Sequence, residues 1–227
     1  EEAAKLVYGT TVGGHEPLDW DGSGASPNGG LQCLVLIGSH IGEDSRNTVM
    51  QDFANLWARG GKVIVVDPRL SSVAAKADYW LPIKPGTDTA LLLAWMHVLI
   101  NEERYDVDYV AEWTTGFDEL KAHVQQFTPE WAAAITDLTV EQIVETARVM
   151  ADNLPRTASD APLLAKGRTV IMPGRHVTWY GNDTQRMRAI YMINALLGAY
   201  GREGGIYFNK TPYIESYPHP PFAVTGS

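Results

Sequence analysis

The sequence predicts an α/β fold, a parallel sheet flanked by helices, and three observations carry that expectation. Two apolar runs rich in branched residues, LQCLVLIG (Leu31 to Gly38) and KVIVVD (Lys62 to Asp67), suit strands buried on both faces. Between them, SRNTVMQDFANLWARGG sets Val49, Met50, Phe53, Leu56 and Trp57 at helical spacing. Strand, helix and strand in such close succession form a βαβ unit, which requires parallel strands and a crossover. The sheet expected from this unit is Rossmann-like, with a helical insertion over about residues 87–152.

Each element follows from local chemistry. Ser45 is a candidate cap for the first crossover helix and Gly60 its stop. YWLPI reads as a short edge strand, because Pro82 cannot donate to a central ladder. A helix is expected to start at Thr87 or Asp88 and run through TALLLAWMHVLI, with Met96 and His97 in its core-facing part. A helical series follows through DVDYVAEWT, FDELKAHVQQF, TPEWAAAIT and TVEQIVETARVMADN. Within it, Thr128-Pro129-Glu130 is a good helix opening, and Thr139 with Gln142 fits a capping box. TVIMPG returns to strand character, and NDTQRMRAIYMINALLGAYG reads as a strongly apolar helix closed by glycine.

Three parts are expected: residues 1–30 as an N-terminal segment with a Gly/Ser-rich loop, 31–208 as the α/β domain, and 209–227 as an extended tail rich in Pro and aromatics. The loops at 21–30 and 157–167 interrupt the regular pattern. The opening EEAAKLVYG reads like the middle of a longer chain, so a fragment is expected.

Composition narrows the function. Of 227 residues, 45% are apolar and 20% charged, the balance of a globular domain with a full core. A net charge of −9 argues against nucleic acid as a partner, since such binding needs a basic surface. Cys33 is the single cysteine, so an internal disulfide and a thiolate cluster are excluded within these residues. Its apolar neighbours mark it as a buried structural thiol.

In an open parallel sheet, ligands bind outside the carboxyl ends of the strands. Four polar stretches are candidates for that crevice. GSHIGED, Gly38 to Asp44, offers glycine and helix N–H donors to a phosphate, but it is not GxGxxG and reads equally well as an ordinary turn. DPR places Asp67 where a ribose hydroxyl is usually met, with Arg69 as its salt-bridge partner or a phosphate ligand; a solvent-facing turn is the alternative. PGTD brings Gly86 and Asp88, the latter either capping the next helix or accepting the paired N–H donors of a guanine edge. PGRHVTWYG carries Arg175 and His176, suited to steering an anion or simply solvated in a loop.

Taken together, VIVVDPR, AAKADYWLPIKPGTDTALLLAWMHVLI, DYVAEWTTGFDELKAHVQQFTPEWAAAIT, EQIVETARVMAD and GRHVTWYGNDTQRMRAIYMINALLGAYGREGGIYF resemble the central region of molybdopterin oxidoreductase catalytic subunits, the dimethyl-sulfoxide-reductase superfamily. LIGSHIGED and GRHVTWYG are most similar to the polysulfide and thiosulfate reductase branch. The resemblance spans roughly Leu31 to Phe208. It implies a domain that grips one molybdopterin guanine dinucleotide, with molybdenum or tungsten in the whole enzyme. By the same resemblance, Gly38, His40 and Glu43 border the dinucleotide, Asp67 and Arg69 meet its nucleotide half, and Gly86 and Asp88 form the guanine-reading turn. Gly174 belongs with Arg175 and His176 to a loop near the pterin, where Arg175 and His176 would orient a polysulfur anion.

Members of this superfamily are several times longer, with an upstream [4Fe–4S] cysteine set, an upstream metal ligand and a downstream β-rich cofactor domain. None of these matches this chain, and Cys33 does not match the metal-ligand position. The expected protein is therefore the cofactor-binding part of a polysulfide- or thiosulfate-type reductase, without turnover by itself. The rest of the catalytic subunit, an iron–sulfur electron-transfer subunit and a membrane anchor are the implied partners, in the periplasm. Rival readings keep the superfamily with formate, nitrate, arsenate or tetrathionate as substrate, take an NAD-type dinucleotide-binding domain, or take a scaffold domain that binds nothing.

Overall fold

The structure is a computed structural model that describes residues 2–9, 30–39, 41, 47–152, 168–174, 177, 181–201 and 204–206. Its centre is a four-stranded sheet of β1 (Leu31–Ile37), β2 (Lys62–Val66), β3 (Tyr79–Leu81) and β4 (Arg168–Pro173), in the order β3-β2-β1-β4. Every pairing is parallel: Val35 faces Ile64 on one side and Ile171 on the other, and Ile64 faces Tyr79. The continuous apolar runs explain this: Leu34, Val35, Leu36, Val63 and Ile64 are fully buried, leaving neither face for water. The expected α/β fold and parallel sheet are both borne out.

Because all four strands run the same way, their carboxyl ends share one edge. The chain leaves β1 for β2 and β3 on one flank and reaches β4 on the other. That reversal is the topological switch point, and it falls between the ends of β1 and β4.

Helices flank the sheet. The crossover helix α2 (Asn47–Ala58) joins β1 to β2, and Gly60 ends it with φ +81°. Among the described residues, five helices lie between β3 and β4: α3 (Asp88–Asn101), α4 (Val107–Trp113), α5 (Phe117–Val124), α6 (Pro129–Thr136) and α7 (Val140–Ala151). α3 is their hub. Leu91, Leu92, Trp95, Met96 and Leu99 are buried on several sides of it, and Trp95 donates from Nε1 to Thr146 Oγ1 at 3.0 Å. His97 is only partly buried, and its ring meets the Val124 carbonyl at 2.9 Å. Two helix openings are those the sequence expects, while the Ser45 cap lies outside the described residues. Thr128 accepts from the Trp131 amide ahead of Pro129, and Thr139 and Gln142 complete a reciprocal capping box. Asp106 caps α4 by accepting from the Tyr109 amide, a cap the sequence reading does not name.

α8 (Asp183–Leu196) departs from its expectation as a strongly apolar helix. It buries Arg186 and Asn194 among Ile190, Ile193 and Leu196. Asn194 Oδ1 accepts from the Ile171 amide at 2.9 Å, while its Nδ2 donates to the Ile171 carbonyl at 3.1 Å. β4 is an edge strand, and this one amide side chain occupies the ladder position that a fifth strand would take. A short N-terminal helix, α1 (Glu2–Tyr8), also belongs to the core. Its Ala3 and Ala4 are buried, and Tyr8 donates to the Tyr191 carbonyl at 2.8 Å. The tail at 209–227 and the loop at 157–167 lie outside the described residues.

Candidate functional site

The loops that leave the strand ends enclose a cleft of about 340 Å³, within the size range of small-ligand sites. Gly38 after β1, Asp67 and Arg69 after β2, Gly86 and Asp88 at the start of α3, and Val177 beyond β4 all line it. A larger cavity of about 400 Å³ lies among α1, α4, α5 and α8. Its walls are aromatic and apolar, with Tyr8, Trp113, Phe117 and Tyr200, and no acid, lysine, arginine or histidine reaches it. Of these two cavities, the strand-end cleft is the one whose described lining carries charged side chains.

Asp67 is held tightly. Its amide continues the sheet by donating to the Leu81 carbonyl at 3.2 Å, and its own carbonyl accepts from Trp80 Nε1 at 2.9 Å. Oδ1 accepts from the main-chain N–H of Arg69 at 2.8 Å, an Asx turn that fixes the carboxylate at the cleft wall. The bond Arg69 gives Asp67 is thus a main-chain one, and its exposed side chain stands at the cleft rim.

Pro85 and Gly86 are the middle of a turn closed by the Thr87 amide on the Lys84 carbonyl at 3.2 Å. Gly86 has φ +82°, as the third position of a type II turn requires, and a Cβ there would meet open space. Asp88 opens α3, but the N-cap is Thr87, and the Thr87 side chain bonds back to Lys84. The Asp88 carboxylate instead faces Arg186, with Oδ2 at 3.5 Å from Nε. Burial pushes the Asp88 carboxyl above the usual aspartate range; Arg186 opposes this and the nearby Asp67 adds to it.

Gly38 and Gly174 meet at the switch point. Gly38 donates to the Val66 carbonyl at 3.0 Å and Gly174 to the Ile37 carbonyl at 2.8 Å, so both prolong the sheet past its strands. A Cβ on Gly174 would lie 1.8 Å from the Gly38 oxygen. The need for glycine at 174 is thus one of backbone meeting backbone. His40, Glu43, Arg175 and His176 lie outside the described residues.

Arg186 is the contributor that sequence reasoning missed. The signal was present: it shares a helical stripe with Ile190 and Ile193, where an exposed arginine has no place. Cys33 behaves as expected of a structural thiol, with burial pushing it up to about 12. Among the described residues, no group of three or more His, Cys, Asp or Glu could hold a metal ion. No helix there is long and apolar enough to cross a membrane.

Comparison with known proteins fits this geometry. The family model for molybdopterin oxidoreductases matches residues 32–220, most of the chain. The chain belongs to the molybdopterin oxidoreductase family. The family resemblance drawn from the sequence is borne out. The molybdopterin-containing subunit of thiosulfate reductase from Salmonella typhimurium is 36% identical over 181 residues, 80% of this chain and 22% of the relative. The alpha subunit of F420-dependent formate dehydrogenase 1 from Methanococcus maripaludis is 34% identical, over 66% of this chain and 22% of its own. Among solved structures, acetylene hydratase from Pelobacter acetylenicus superposes with a TM-score of 0.67 at 30% identity, over 87% of this chain and 24% of that one. The chain thus spans about a fifth of the length of the curated relatives it matches.

Proposed function

We propose that this chain is the cofactor-gripping α/β domain of a molybdenum oxidoreductase and that its strand-end cleft takes the guanine nucleotide end of molybdopterin guanine dinucleotide. The observation that carries the reading is the set of polar groups around one cleft: two carboxylates and an arginine with a glycine turn between them. An ionised carboxylate only accepts hydrogen bonds, so Asp88 complements the adjacent N–H donors of guanine and clashes with acceptors in the same place. Asp67 commits one oxygen to the Arg69 amide and keeps the other for a ribose hydroxyl. Arg69 suits a diphosphate oxygen, and the open space beside Gly86 admits a flat ring. These residues fit the nucleotide half of the cofactor.

When bound, the pterin-held molybdenum or tungsten supplies two-electron chemistry, and this chain binds and orients it. We assign the metal ligand and a [4Fe–4S] cluster to other parts of a longer subunit, working with an iron–sulfur subunit and a membrane anchor in the periplasm. For the substrate, likeness to thiosulfate reductase supports a polysulfide or thiosulfate, oriented by Arg175 and His176. The likeness to a formate dehydrogenase and to a hydratase keeps the grip on the cofactor separate from the choice of substrate.

Calorimetric titration of the chain with GDP, ADP and NAD tests the nucleotide assignment. The expected result is GDP binding at least about tenfold tighter than ADP, lost in Asp88→Ala. Tighter binding of NAD, or GDP binding indifferent to Asp88→Ala, would overturn it.

A further inference from the structure

Arg186 is the only basic side chain buried among the described residues, 2% exposed on the core face of α8. A buried guanidinium is costly unless its donors are met and a counter-charge is close. Its Nη1 donates to the Val177 carbonyl, and Nη2 reaches the Gly181 carbonyl at 3.4 Å. Asp183, one helical turn back, contributes an oxygen at 3.5 Å from Nη1. Nε is different: it is buried, has no hydrogen-bond partner among the described residues, and stands 3.5 Å from Asp88 Oδ2. The pair is in charge contact, yet its hydrogen bond is not made. Asp88 therefore has a guanidinium behind it and the cleft in front of it.

Resting on the guanine reading of the cleft, we infer that Arg186 is a positioning residue for purine recognition. It keeps the Asp88 carboxylate charged and aimed into the cleft, and ties it to the backbone at Val177 and Gly181. Val177 itself lines the cleft, so one side chain braces two of its walls. An ion pair serving only to hold α8 against α3 would need neither the unfilled Nε–H nor a carboxylate at the cleft surface. Binding of a donor edge in front of Asp88 lets the carboxylate settle between the two sets of donors, completing the bond that Nε lacks.

The groups that face Asp88 define the test. Asp67 at the end of β2 disfavours its charge, Arg186 on α8 favours it, Asp183 also pairs with Arg186, and Arg69 lines the same cleft. Inosine diphosphate lacks the exocyclic amine of GDP, so the ratio of the two affinities reports whether Asp88 accepts twice. For the 227-residue chain, that ratio should be at least about tenfold at pH 8 and collapse as Asp88 protonates. In Arg186→Gln the collapse should begin at higher pH, because the largest effect opposing burial and Asp67 is then lost. Arg186→Lys, which keeps the charge, should return the midpoint most of the way to wild type.

An unchanged midpoint in Arg186→Gln, with GDP still preferred, overturns the role of Arg186 and leaves the guanine reading standing. Absence of any GDP preference in the wild type overturns both. Should Arg186→Gln fail to fold, the wild-type Arg186 Nε–Hε resonance decides. A shift and slower solvent exchange with GDP but not ADP supports the inference, and no change overturns it.

Discussion

Gly174 lies so close to Gly38 that a Cβ on it would stand 1.8 Å from the Gly38 carbonyl oxygen and 2.6 Å from the Ser39 Cα. The contact lies at the switch point of the sheet, next to Gly38 in the cleft lining. Neither neighbouring atom belongs to a flexible side chain, so the backbone itself would have to move. Gly174→Ala should cost at least about 3 kcal/mol, at the upper end of what over-packing does. Gly38→Ala, at φ +54° and 3.1 Å from Val177 Cγ2, should cost about 1–2 kcal/mol. Gly86→Ala meets open space and carries only the strain of φ +82°, about 1 kcal/mol. Urea unfolding of the three variants gives the order directly, and a Gly86 variant worse than the Gly174 one would contradict this packing.

Asn194 satisfies both main-chain groups of Ile171 on the outer edge of β4. Replacing it with leucine keeps the number of heavy atoms and the branch at Cγ but strands a buried donor and a buried acceptor. The expected loss is about 3 kcal/mol, from two groups at about 1–3 kcal/mol each. Hydrogen exchange at the Ile171 amide should accelerate in this variant more than at Val170 or Met172, whose amides face β1.

Asp88 links stability to pH in the direction opposite to most paired acids. Its carboxyl titrates above the reference value of 3.8, because burial outweighs the attraction of Arg186. Stability from the neutral form is full below that reference value and lost as pH rises through the higher folded value. Asp88→Asn should therefore gain on wild type, without nucleotide, as pH rises from about 4 to 7. Saturating GDP should reverse the ranking at pH 7. Thermal melts across that window check both signs, and a gap that shrinks with pH would contradict the account.

Glu102 shows the ordinary sign. Arg148 and Arg104 both bond its carboxylate, at 2.6 to 3.0 Å, and hold it below the reference value of 4.5. That contribution is present above the reference value and lost as pH falls through the lower folded value. Glu102→Gln should cost about 1 kcal/mol at neutral pH, the scale of a surface network. The difference from wild type should disappear in strong acid, once the Glu102 carboxylate is protonated. Chemical unfolding at the two pH values measures it.

What could be read from the sequence was what neighbours in the chain determine. The buried strands announced themselves because Leu34 to Ile37 and Val63 to Val66 are apolar without alternation, and the caps at Thr128 and Thr139 because their partners lie three residues on. Asp67 and Asp88 stood out because each follows an extended segment beside a turn. Arg186 and Asn194 did not, since their meaning depends on Asp88 and Ile171, residues far away in the chain. A polar residue on an apolar stripe says that a partner exists without naming it. The helix α1 was missed for a related reason: Ala3 and Ala4 become an apolar face only when α8 lies against them.

The most direct test of the central claim is a crystal structure of the chain grown with GDP. The account predicts the guanine edge within about 3 Å of the Asp88 carboxylate, with the ribose toward Asp67. Guanine elsewhere, for instance stacked in the aromatic cavity of Tyr8 and Trp113 with the strand ends empty, would contradict it.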